Sequence, residues 1–155
     1  TQVCFSNTLT ETTLATVSLA GGTLSTNNAI KIEVFLDTLA IAGAGKTFTI
    51  RLKYGATTVA SVVVGGSGTV DGNTYTKIEA VLAASGATNT QKGVISFFGG
   101  QLASATTGWY INGLGLGTGA EDSTGALTLS ITGQFNGTEN FSNCISEMAF
   151  FSAIN

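Results

Sequence analysis

Residues 46–66 read KTFTIRLKYGATTVASVVVGG, and their side chains alternate in character on both sides of one Gly55-Ala56 step. Phe48, Ile50 and Leu52 fall on one face of the first half, and Thr47, Thr49, Arg51 and Lys53 on the other, because successive side chains of an extended chain point to opposite faces. Two such runs joined by a Gly-containing step predict a β-hairpin. The same period recurs outward from it. Ile30, Ile32, Val34 and Leu36 alternate with Lys31, Glu33 and Asp37, and Leu127, Leu129 and Ile131 alternate with Thr128, Ser130 and Thr132.

Candidate strands cover 12–19, 29–38, 46–54, 57–64, 74–83, 92–98, 126–133 and 143–151. The one stretch with a helical alternative, 77–84, fits a strand equally well through Thr76, Ile78, Ala80 and Leu82. The chain therefore reads as an all-β, two-sheet antiparallel sandwich of about eight strands, because one-sided strands pack sheet on sheet. Jelly-roll topology is the first expectation for a single domain over 1–155. An immunoglobulin-like sandwich ranks second, since Trp109 lies in a Gly-rich segment and not on a central strand between two cysteines. The segment 99–125, GGQLASATTGWYINGLGLGTGAEDSTG, breaks the rhythm and reads as a long loop.

Composition narrows the function classes. Charged residues are only 10% of the 155, against about 25% in ordinary soluble domains, so the polar surface must come from Thr, Ser, Asn and Gly. Six basic residues against nine acidic ones, spread singly along the chain, leave no basic footprint for nucleic acid or for an anionic bilayer. No continuous apolar run reaches the ~18 residues of a membrane helix, so no membrane insertion is expected. The first residue is not Met, which points to processing or to a piece of something longer. Histidine is absent, which excludes Ser-His-Asp chemistry and most zinc sites; no catalytic residue, metal or cofactor is expected, and the chain reads as no enzyme. Proline is absent as well, so turns fall to Gly, Asn and Asp.

Each motif has a plain structural reading beside its functional one. GAGKT at 43–47 resembles the end of a phosphate-binding loop, but position 40 is Ala40 and a strand follows the Lys where a helix is needed. Glu121-Asp122 supplies paired acids or calcium oxygens, although neither glycosidase spacing nor a calcium-loop pattern is present. Trp109 and Tyr110, with Asn112 beside them, suit stacking on a sugar ring; packing or a subunit contact uses the same residues equally well. Asn136-Gly137-Thr138 and Asn140-Phe141-Ser142 match the N-glycosylation acceptor pattern.

The stretch ETTLATVSLAGGTLSTNNAIKIEVFLDTLAIAGAGKTFTIRLKYGATTVAS, from Glu11 to Ser61, resembles the jelly-roll domains of tailed-bacteriophage structural proteins of the tail-fibre, receptor-binding and virion-appendage kind. The likeness covers about a third of the chain and concerns scaffold residues, so it transfers no functional residue. It implies a virion structural module outside the host cell, often a homotrimer, with other virion proteins and a host-surface glycan as partners. Two other readings stay open: a filament subunit assembled by strand addition, and a carbohydrate-binding module. Self-association would draw on apolar residues such as Phe97, Phe98, Phe150 and Phe151.

Cys4 and Cys144 complete the expectations. In a jelly roll the first and last strands lie side by side, which brings a cysteine ahead of the first strand near one at the start of the last and allows a disulfide. The alternative is two unpaired thiols, one of them buried as a small apolar residue.

Overall fold

Period-two alternation becomes β-strand throughout the computed structural model, which describes residues 4–6, 9–36, 47–65, 74–101, 110–137, 142–144 and 146–154. The strands are β1 (Cys4–Ser6), β2 (Thr12–Leu19), β3 (Ala29–Leu36), β4 (Thr47–Tyr54), β5 (Thr57–Gly65), β6 (Thr74–Ala84), β7 (Gln91–Gln101), β8 (Tyr110–Gly119), β9 (Leu127–Phe135), β10 (Ser142–Cys144) and β11 (Ser146–Ile154). No helix occurs among the described residues. The 77–84 stretch lies within β6, as its strand reading expected.

Two antiparallel sheets hold nine of these strands. One has the order β2-β9-β4-β5 and the other β11-β3-β6-β7-β8, while β1 and β10 form a separate two-stranded ribbon. The opening hairpin is β4–β5, with Tyr54 opposite Thr57 around Gly55, whose φ of +58° lies in the left-handed region that glycine adopts without strain. Its inward residues Phe48, Ile50, Leu52 and Tyr54 are buried, and they meet Ile30, Ile32, Val34 and Leu36 from β3 and Ile78, Ala80 and Leu82 from β6 in one core between the sheets. Each large apolar side chain removed from water in this way contributes about 1.5–3 kcal/mol.

Within the segment 99–125, residues 99–101 and 110–119 are strand rather than loop. β7 runs on to Gln101, and Tyr110 to Gly119 form β8, paired with β7 from Gln91↔Gly119 to Gly100↔Tyr110. Its alternation is inverted: Gly113, Gly115, Gly117 and Gly119 share one register of faces, and Asn112, Leu114, Leu116 and Thr118 stand exposed on the other. A side chain on the glycine face has nowhere to go. A Cβ at Gly115 would overlap the Ser61 carbonyl oxygen, and one at Gly117 the Val59 carbonyl oxygen. Edge strand β8 thus lies directly against the backbone of edge strand β5, and the two sheets close on each other along that side.

Two β-bulges add inward side chains to the four-stranded sheet. The β4–β5 register skips Val59, and Val59 and Ala60 are both buried; the β2–β9 register skips Leu14, and Leu14 and Ala15 are both buried. An extra residue at a bulge turns two neighbouring side chains inward. Val59 uses that position to approach Gly93 and Gly119, which leave room for it.

Strand directions gather the described connections at one end. The 20–28, 85–90 and 120–126 turns bond to one another there, Gly22 N–H donating to the Ser123 carbonyl (2.7 Å), Ser123 N–H to Thr88 (2.9 Å) and Gly86 N–H to Thr26 (2.9 Å), while the 55–56 turn bonds to the start of β9 through Gly55 N–H and the Thr128 carbonyl (2.8 Å). The 37–46, 66–73 and 102–109 segments lie outside the described residues.

Candidate functional site

Among the residues singled out by chemistry, Trp109 lies outside the described residues, and Tyr110 is described only as the first residue of β8. Asn112 is exposed on the outer face of that strand, near its start. Glu121 and Asp122 follow the other end of β8, among the interlocked turns. Seven residues of extended chain separate Asn112 from Gly119, about 23 Å at ~3.3 Å per residue. Asn112 and the acidic pair therefore do not converge on one ligand.

The acidic pair is held by local bonds. Gln91, buried at 1% exposure, donates from Nε2 to the carbonyls of Thr88 (3.1 Å) and Glu121 (2.8 Å), and its Oε1 accepts from the Glu121 N–H (3.0 Å). The Glu121 carboxylate accepts from Thr57 Oγ1 at 2.6 Å, which ties the turn after β8 to the start of β5. Asp122 Oδ1 accepts from the Thr124 N–H (3.0 Å) and hydroxyl (2.8 Å), and these bonds hold its pKa below the usual carboxylate value. Burial pushes the Tyr54 phenol up, with the charges of Glu121 and Asp122 adding to the effect.

Two charge clusters appear that the one-dimensional spacing hides. On the outer face of the five-stranded sheet, Glu33 stands directly opposite Glu79 in the β3–β6 register, a like-charge pairing that is unfavourable alone. Lys31 and Lys77 resolve it. Lys31 pairs with Glu33 (3.4 Å) and Glu79 (3.1 Å), and Lys77 with Glu33 and with Glu79 (3.0 Å). The Lys77 bond chiefly lowers the pKa of both acids; Glu79 chiefly raises that of Lys31, and Glu33 that of Lys77.

On the outer face of the other sheet, Glu11 accepts from Thr132 Oγ1 and pairs with Lys53 (3.4 Å) and Arg51 (3.6 Å). The Thr132 bond leads in lowering the Glu11 pKa against the opposing effect of burial. Thr13, Thr16, Ser18, Thr49, Thr128 and Ser130 surround this cluster with hydroxyls. Arg51 Nη1 is buried there without a hydrogen-bond partner.

Glu11, Glu33, Glu79, Glu121 and Asp122 thus each have a partner within the fold. A general acid in glycoside hydrolysis needs a raised pKa, whereas each carboxylate shift resolved here is downward. No group of acids or cysteines suited to a metal occurs among the described residues, and no helix there is long and apolar enough to cross a membrane. For the phosphate-loop resemblance, 43–46 lie outside the described residues and Thr47 opens strand β4. Asn136 is exposed and places its Oδ1 on the Thr47 N–H (2.9 Å) beside a cleft of about 270 Å³ lined by Leu9, Thr49, Gln134 and Phe135; Asn140 lies outside the described residues.

The outer face of the five-stranded sheet also carries its exposed apolar residues. Leu114 (66% exposed), Leu116 (73%) and Phe98 (57%) form one flank with half-buried Val94, in the register Leu116↔Val94 and Leu114↔Ser96. Phe35 and Phe150 form the other, in edge-to-face contact at 6.3 Å. Of the aromatic residues expected to face outward, Phe98 and Phe150 do so. Phe97 does not: alternation along β7 turns it into the core at 1% exposure, and Phe151 packs partly buried against that core. Leu114 and Leu116 were missed because a Gly-Leu alternation carries strand periodicity in its small residues.

No protein-family model matches the sequence, and no curated protein matches it. Among solved structures, the chain is similar to the CBM2 module of the evolved Dit of Lactobacillus casei BL23 phage J-1, at 11% identity and a TM-score of 0.27, over 81% of this chain and 70% of that one.

Proposed function

We propose that the chain is a non-enzymatic structural module of a phage particle, of the tail-fibre, receptor-binding or appendage kind, that assembles with further copies of itself into a symmetric oligomer. The trimeric state and the virion setting follow the resemblance of residues 11–61. The winding is read as a jelly roll because the pairings β1 with β10, β2 with β9, β3 with β6 and β4 with β5 nest within one another.

The observation that carries self-association is the Leu114, Leu116, Phe98 and Val94 flank on edge strand β8 and its neighbour β7. Contiguous exposed apolar side chains beside an edge strand mark an association surface. A second copy fits it because the adjacent charge cluster holds two Lys and two Glu that neutralise one another, so like faces approach without net repulsion. Light scattering at increasing concentration tests this. The native chain is expected to reach a fixed multiple of its mass, and Leu114→Lys with Leu116→Lys to weaken that assembly at least ~100-fold while far-ultraviolet circular dichroism stays unchanged. A native chain that stays monomeric at high concentration would sink the proposal.

Glycan recognition is the second reading, favoured by the hydroxyl-rich sheet face, on which Arg51 Nη1, ion-paired to Glu11, is left without a hydrogen bond. A glycan array with Arg51→Ala and Trp109→Ala as controls tests it; an array with no ligand removes it.

A further inference from the structure

The two cysteines, 140 positions apart, occupy one register position of the backbone. β1 and β10 pair antiparallel with Cys4 opposite Cys144, Phe5 opposite Asn143 and Ser6 opposite Ser142. Directly opposed residues of an antiparallel pair have Cα atoms about 4.5 or 5.5 Å apart, according to the kind of pair. Both values fall within the ~4.4–6.8 Å that a disulfide spans. From this juxtaposition we propose that Cys4 and Cys144 form a disulfide that clasps the two sheets along the side of the sandwich away from β8.

Position gives the bond its purpose. β1 precedes β2, the edge of the four-stranded sheet, and β10 precedes β11, the edge of the five-stranded sheet. These two edges are neighbours. The opposite side is closed by the glycine face of β8 on β5. Apart from the β1–β10 ribbon, no hydrogen-bonded strand pair links the two ends of the chain to each other outside the main sheets among the described residues. A ladder of three residue pairs is too short to persist unaided, and a covalent link between its strands supplies what the ladder lacks.

The chemistry is thiol–disulfide exchange with a small-molecule disulfide as oxidant. The thiolate of one cysteine attacks the oxidant and releases one thiol; the second cysteine, as thiolate, attacks the mixed disulfide and releases another. Two protein thiols lose two protons and two electrons, one protein S–S bond forms, and the oxidant's S–S bond becomes two thiols.

Protein equilibrated with oxidised glutathione, denatured with iodoacetamide and weighed intact is expected to take up no alkyl group until a reductant is added, and its digest to contain one peptide pair joining Cys4 to Cys144. Two alkylated thiols before reduction, or a disulfide-linked dimer, would overturn the proposal. Thermal unfolding supplies a second measurement. Reduction is expected to lower the midpoint by on the order of 10 °C. Cys4→Ser, Cys144→Ser and the double variant are expected to lower it equally, since each removes the same bond; losses that add would mean two independent side chains and would count against the bridge. Oligomeric mass is read separately, so this outcome and that for self-association are distinguishable.

Discussion

Gly115 and Gly117 decide how closely the two sheets approach. Each faces a carbonyl oxygen of β5 across a gap that admits no side chain. Gly115→Ala is therefore expected to destabilise the fold by roughly 2–3 kcal/mol, since the obstacle is backbone and cannot rotate away. Gly125→Ala, where a Cβ meets nothing within 4 Å, is expected to stay within about 0.5 kcal/mol of the native chain. Urea unfolding of the two variants checks this, and equal midpoints would refute the close approach. The same residues explain the largest misreading of the sequence. Strand assignment rests on large apolar side chains recurring inward at every second position, and in β8 the recurring inward residue is glycine while Leu114 and Leu116 face outward. The period was visible in GLGLG; its meaning required the opposing strand. The chemistry-bearing residues fared differently. Glu121 and Asp122 were legible as polar turn residues, but nothing local announces that Gln91, thirty residues earlier, takes both main-chain groups of Glu121.

Strands rather than single residues set the charge pattern. Lys31 and Glu33 come from β3, Lys77 and Glu79 from β6, and only the β3–β6 register makes them one cluster. Each strand's alternation was readable alone, and so were β2 and most of β3 to β7 and β9; which strands lie side by side was not, because pairing partners are far apart in the chain. The cluster predicts a pH profile. Glu33 and Glu79 have folded pKa values below 4.5, so their contribution is complete above the unfolded value and is lost as pH falls through the folded one. Lys31 and Lys77 have folded values above 10.5, so their contribution is complete below the unfolded value and is lost as pH rises through the folded one. Stability from this cluster is thus flat between about pH 5 and pH 10 and falls on both flanks, modestly, since these exposed pairs are screened by solvent and salt. In urea titrations across pH, Glu33→Gln with Glu79→Gln is expected to make the acid limb shallower. An acid limb as steep as that of the native chain would show that the cluster contributes nothing.

Across the whole molecule, the chain returns to where it started: β9 fills the space between β2 and β4, and β11 lies beside β3. A chain ending at Ala126 is therefore expected to show no cooperative thermal transition by circular dichroism, because β2 and β4 lose the strand that joins them. A two-state melt of that fragment would contradict the importance of this return. Pairing over such separations also places refolding in the slow range, milliseconds to seconds. All-β character and two-sheet packing were readable from alternation; the strand orders were not, since alternation fixes which face is inward and says nothing of neighbours. Strand β8 carries one more consequence, in terms of descent. Its inward glycines are crowded by what lies beneath them, the β5 backbone at Gly115 and Gly117 and the Val62 and Val59 side chains at Gly113 and Gly119, whereas Asn112, Leu114, Leu116 and Thr118 stand exposed. Lineages of this chain are expected to keep glycine at every second site while the intervening sites diverge, so that one edge changes what it recognises from generation to generation without disturbing the architecture that presents it.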